Sequence, residues 1–124
     1  MLRSSPLVAF AATTNAANAT AFYRDTLGLR VVTDEPFAIV FDASGTTLRI
    51  QKVEGVSKTP YTVLGWQVDD IANTADGLIK AGVDLVKYPH LQQDERGIAT
   101  FPGGTQVAWF HDPDGNLLSV TQPA

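Results

Sequence analysis

The chain has 124 residues, the size of one domain with a single core, and a formal net charge of −4. That charge repels phosphate backbones, so nucleic acid is not an expected partner. There is no cysteine, which excludes disulfides, thiolate zinc sites and cysteine nucleophiles, and no apolar run approaches the length of a membrane span.

Residues 7–13 are short and mostly apolar and read as a first strand. Only Arg3 precedes this brief apolar stretch, so a strand is expected there rather than a secretory leader, and the protein is expected to be cytoplasmic. Asn15 is a good N-cap, 16–27 runs without Gly or Pro, and Gly28 stands where a helix C′ residue belongs, so a helix is expected over 15–27. Strands follow at 29–33, 37–41 and 46–53, with Asp42-Ala43-Ser44-Gly45 as a turn. In the last of these, Leu48 and Ile50 alternate with Arg49 and Gln51, giving one apolar and one polar face.

The second half repeats the order. Residues 61–68 read as a strand, and Asp69 and Asp70 are both N-cap candidates. Ile71, Ala75, Leu78 and Ile79 make a helical stripe, and Gly82 ends a helix expected over 70–81. Strands are expected at 83–88, 106–110 and 116–122, with Asp112-Pro113-Asp114-Gly115 as a type I turn before the last. The pattern β-α-β-β-β thus occurs twice, in modules at 6–54 and 59–122 of a single domain, 1–124. Clefts between repeated units are favoured ligand sites. Residues 89–104 have no counterpart in the first half. They read as a loop with a short strand at 97–101 and a turn at Gly103-Gly104, either covering a site or decorating the surface.

Three segments resemble the vicinal-oxygen-chelate superfamily, which includes glyoxalase I, bleomycin-resistance proteins and extradiol dioxygenases. They are Phe22-Tyr23-Arg24-Asp25-Thr26-Leu27-Gly28-Leu29, Val68-Asp69-Asp70-Ile71, and Trp109-Phe110-His111-Asp112-Pro113-Asp114-Gly115-Asn116. The resemblance implies an α+β fold: two βαβββ modules forming a cupped, half-barrel mixed sheet with helices outside, around a small-molecule site. It also implies a homodimer, since small relatives often pair modules across two chains.

Metal-dependent members hold one divalent ion with His, Glu or Gln on the first and last strands of each module. Carried over by position, those four places fall at Val8, Arg49, Val63 and Ser119. None is a usual ligand, and Arg49 would repel a cation, so no metal or other cofactor is expected. The two histidines lie elsewhere. His90 stands near Asp94 and Glu95 in the inserted loop, where solvated side chains are a better reading than a metal site, and His111 flanks the last turn.

Strand parity points Val8, Phe10 and Ala12 inward, with Arg49 and Gln51, then Tyr61, Val63 and Gln67, then Val107 and Trp109, then Ser119 and Thr121. Phe10, Arg49, Gln51, Tyr61, Gln67, Trp109 and Ser119 are therefore the candidate ligand contacts. A guanidinium in such a place needs an internal carboxylate or a ligand anion. The leading expectation is a metal-free binder of a compact planar molecule with an oxygen acceptor. The alternatives are a metal-dependent lyase, isomerase or dioxygenase, and a metal-free enzyme polarising a carbonyl through Arg49, Tyr61 or Gln67.

Overall fold

A computed structural model describes all residues, Met1–Ala124. The chain divides into two compact units, 1–57 with 113–116, and 58–112 with 117–124. Each holds one four-stranded mixed sheet, and neither sheet closes into a barrel.

In the first unit β1 (Val8–Thr13) leads into α1 (Ala16–Thr20), capped by the Asn15 side chain accepting the Asn18 N–H at 3.0 Å. The expected helix over 15–27 is α-helical only at its start. It widens into a π-helical segment, Ala21–Thr26, in which the Leu27 N–H reaches back to the Phe22 carbonyl. Gly28, at φ +81°, closes it, as only a residue without Cβ does cheaply. The widened turn buries Tyr23 completely, its ring centroid 5.7 Å from that of Phe41.

Three strands follow: β2 (Arg30–Asp34), β3 (Ala38–Ala43) and β4 (Thr46–Lys52). Their order is β1-β4-β3-β2, with β1 parallel to β4 and the other pairs antiparallel. β3 and β4 meet through Ser44-Gly45, at φ 50° and 91°, the positive pair that suits a two-residue hairpin. Ile39, Phe41, Leu48 and Ile50 lie fully buried on the Tyr23 side of the sheet. Each contributes about 1.5–3 kcal/mol by leaving water. Val8, Phe10, Arg49 and Gln51 stand on the other face.

In the second unit β5 (Leu64–Gln67) begins three residues later than expected, so Tyr61 and Val63 precede the strand. Of the two candidate caps Asp70 is the one used, accepting the Asn73 N–H at 3.0 Å, and the Gln122 side chain accepts the Ile71 N–H at 2.7 Å. α2 (Ile71–Lys80) then buries Ile71, Ala75 and Leu78. Ala108, Phe110, Leu118 and Val120 are buried on the sheet face that α2 packs against.

The expected strand at 83–88 does not form. The ladder on β7 (Gln106–His111) is made instead by β6 (Ala99–Thr100), from the segment read as an insertion, which pairs with Gln106 and Val107, and β8 (Leu117–Gln122) completes the order β5-β8-β7-β6. A side chain supplies the reason. Gln93 accepts the Tyr88 N–H at 2.7 Å and donates to the carbonyls of Val86, at 2.9 Å, and Gly97, at 2.7 Å. The Val86 N–H goes to the Trp109 carbonyl at 2.8 Å. The N–H groups of Val86 and Tyr88 and the Val86 carbonyl are thus satisfied without a ladder.

Candidate functional site

Strand alternation alone places half of the candidate contacts. Phe10 and Arg49 are register partners on parallel β1 and β4, and Gln51 pairs with Ala12 one step along the same face. Phe10 is 47% exposed, large for an aromatic on a sheet face. Arg49 does have the internal partner it needs: its guanidinium lies 3.1 Å from the Glu35 carboxylate, which follows β2 in the chain. Both side chains are partly open to solvent, so the pair is a local dipole on that face rather than a bare cation.

The second unit assembles a different surface. Trp109 on β7 pairs in register with Ser119 on β8, and Gly65 on β5 lies next to Ser119. A Cβ at position 65 would stand 3.1 Å from the Ser119 hydroxyl, so this glycine leaves that hydroxyl room; even so, Ser119 is only 6% exposed. Gln67 pairs with Thr121, two residues from Ser119 on the same face.

Around Trp109 the loops border an open recess of about 290 Å³. Its walls are the rings of Tyr61, Tyr88, His90 and Trp109, with Leu91 and Leu117; Pro60 and Thr62 complete it, and no Asp, Glu, Lys or Arg lines it. The rings brace one another. Tyr88 meets Trp109 edge to face at 5.4 Å and lies 5.6 Å from His90, while Phe101 meets Trp109 from elsewhere at 6.4 Å. Of the sequence candidates, Tyr61 and Trp109 come together here; Phe10, Arg49 and Gln51 form their own group in the first unit. Tyr88 and Leu91 were not among the candidates: Leu91 lies in the inserted segment 89–104, and Tyr88 ends the stretch expected as a strand at 83–88.

That loop is built rather than slack. One oxygen of Asp94 accepts the backbone N–H groups of Arg96, Gly97 and Ile98, at 3.0, 3.0 and 2.9 Å. Burial alone would raise the Asp94 pKa, but those donors and the nearby Arg96 charge hold it below the ordinary carboxylate value. Arg96 in turn grips Asp76 of α2 at 2.6 Å. Asp94 therefore organises backbone instead of joining His90 and Glu95 in a metal site.

The four positions that hold metal in metal-dependent relatives do not fit one here. Val8 and Val63 carry no donor atom, Arg49 is cationic and held by Glu35, and Ser119 offers a single hydroxyl. Nowhere do three or more His, Asp or Glu side chains gather closely enough to hold an ion.

At residues 7–120 the chain matches the family model described as the Glyoxalase/Bleomycin resistance protein/Dioxygenase superfamily. No curated protein sequence matches it. Among solved structures, a member of that superfamily from Sphaerobacter thermophilus DSM 20745 superposes with a TM-score of 0.75 at 22% identity, covering 98% of this chain and 99% of that one. TnmS3, an antibiotic binding protein from Streptomyces sp. CB03234, gives 0.70 at 22% identity over 100% and 99%. Lactoylglutathione lyase from Agrobacterium tumefaciens gives 0.68 at 19% identity over 96% and 93%. At these identities the structural likeness speaks for the fold. Taken with the family match over nearly its whole length, the chain belongs to the glyoxalase/bleomycin resistance protein/dioxygenase superfamily.

Proposed function

We propose that this protein is a metal-independent small-molecule binder of the bleomycin-resistance type, which holds its ligand rather than transforming it. The observation that carries the reading is the recess at Trp109: mostly ring and aliphatic walls, a few hydroxyls, no charged lining residue. Ligand sites have that composition, whereas metal-assisted chemistry needs donors that Val8, Arg49, Val63 and Ser119 do not supply. On this reading Tyr61, Gln67, Trp109 and Ser119 contact ligand in the second unit, and Phe10, Arg49 and Gln51 do so in the first. The protein works in the cytoplasm as a homodimer, which would cover the exposed Phe10 and the 81% exposed Phe37.

Native mass spectrometry of untagged protein tests this directly. The expected result is a co-purifying organic ligand, recovered with unchanged mass after incubation, on a dimer. A stoichiometric divalent metal whose removal by chelator lowers the melting temperature would overturn it, because an ion bound only by the native state must stabilise that state.

A further inference from the structure

The recess of the second unit is specific enough to name a ligand class, an inference that rests on the small-molecule reading above. Three features set the class. At about 290 Å³ the recess sits at the bottom of the range for drug-sized ligands, room for a ring system and not for a large antibiotic. Its walls are largely π systems, two of which, Tyr88 and Trp109, pack edge to face on each other, so a flat guest would stack on the ring surface that this pair leaves open. No Lys or Arg lines it, and the chain carries net charge −4. A carboxylate or sulfonate there would meet only neutral donors, the hydroxyls of Tyr61, Thr62 and Tyr88, beside electron-rich ring faces and within a chain of net negative charge. A ring bearing positive charge would instead be attracted by the Tyr and Trp faces.

We propose that the recess bounded by Tyr61, Tyr88, His90 and Trp109 is a binding site for a planar group of one or two fused aromatic rings, neutral or cationic, and that it excludes anionic rings. Rigidity supports the assignment. Gln93 fixes the backbone at Tyr88, and the Asp94 turn with its Arg96–Asp76 anchor holds the loop that carries His90 and Leu91. The side of the recess formed by Tyr88, His90 and Leu91 is therefore set before a ligand arrives, which lowers the entropic cost of binding.

Three probes of equal size and different charge test it: quinoline, N-methylquinolinium and 2-naphthoate, titrated at pH 7.5 by ligand-observed NMR and by tryptophan fluorescence. Quinoline and N-methylquinolinium should bind saturably and change the emission. The naphthoate should bind at least about tenfold more weakly, since its charge meets ring faces and no Lys or Arg. Trp109→Leu should weaken the two binders by about tenfold, the loss of a well-packed aromatic contact. Should that variant fail to fold by circular dichroism, Tyr61→Ala serves instead, since Tyr61 is 65% exposed and its removal opens no core; it should weaken both binders several-fold. Equal or tighter binding of the naphthoate, or unchanged affinity in the ring variants, would overturn the proposal. If the probes bind and Phe10→Ala alone weakens them, the site is refuted while small-molecule binding stands. If none of the probes binds yet a ligand co-purifies, the class is refuted and the binder reading survives.

Discussion

The carboxylate of Asp114 accepts both polar hydrogens of Thr14, the backbone N–H at 2.8 Å and the hydroxyl at 2.6 Å. Its other oxygen takes the hydroxyl of Thr13, and two residues on, the Asn116 amide donates to the Ala12 carbonyl at 2.8 Å. Residues Pro113–Asn116, grouped with the first unit, thus close the end of β1 where the chain turns into α1. Asp114→Ala should destabilise the fold by about 2 kcal/mol, the scale of hydrogen bonds to a charged acceptor, and lower the urea midpoint. Burial alone would raise the Asp114 pKa, but the donors from Thr13 and Thr14 bring it below the ordinary value. A depressed native pKa means the contribution is complete above the unfolded value, about 3.9, and fades as pH falls through the native one. The stability gap between wild type and Asp114→Ala should accordingly be full at pH 6 and shrink below about pH 4. A gap that stays constant into acid would show that the carboxylate is not what holds the turn.

Much of this arrangement was legible in the sequence, because it follows from period. The alternation of Leu48 and Ile50 with Arg49 and Gln51 placed two candidate contacts on one sheet face, and the glycines at 28 and 82 marked two helix ends, both at positive φ. Period fails where a side chain replaces a ladder. Residues 83–88 have the composition of a strand, yet Gln93 takes the Tyr88 N–H and the Val86 carbonyl, and the ladder on β7 goes to Ala99–Thr100. The recess was equally hidden, since Tyr61, Tyr88 and Trp109 meet through loops whose paths no periodicity reports. Glu35 was hidden for a simpler reason: it lies beyond the strand expected at 29–33 and just past β2, where strand parity does not apply.

Gln93 offers a second prediction. Both of its amide atoms are engaged, one as acceptor and one as donor to two carbonyls. Gln93→Leu should cost about 1–3 kcal/mol, because partly buried backbone groups lose their partners. Hydrogen exchange at Tyr88 should quicken most. Gln93→Glu should be no milder despite its similar size, since a carboxylate would face the Val86 and Gly97 carbonyls without a proton to give. If the Glu variant matches wild type in exchange and melting temperature, the assigned amide orientation is wrong.

The Ser44-Gly45 hairpin loop supplies a third. Ser44 is the one non-glycine residue at positive φ, a conformation that asparagine adopts more readily. Ser44→Asn should therefore raise stability by about 0.5 kcal/mol, with β3–β4 register unchanged, and Gly45→Val should lower it. Thermal denaturation of both variants is the check. A Ser44→Asn protein less stable than wild type would mean that the loop is not held in the mirror-image turn.

Arg49 and Glu35 carry the last. A partly exposed ion pair contributes about 0–1 kcal/mol to stability, so Arg49→Ala should melt close to wild type, and the pair is better explained by what it does on the face that Phe10 shares. With Glu35 in place, the guanidinium is partly neutralised. It can donate a hydrogen bond to a carbonyl oxygen, but it attracts anions less than a lone arginine would. Glu35→Gln should remove that restraint. A ligand with a carbonyl should bind wild type and Glu35→Gln about equally and lose affinity in Arg49→Ala, by about tenfold for a charge-assisted bond. A carboxylate ligand should gain several-fold in Glu35→Gln and lose that gain in the double variant. Calorimetric titration of a matched ester and acid against all four proteins completes the cycle. If the acid shows no coupling between the two positions, Arg49 does not meet the ligand, and the contacts assigned to the first unit reduce to Phe10 and Gln51.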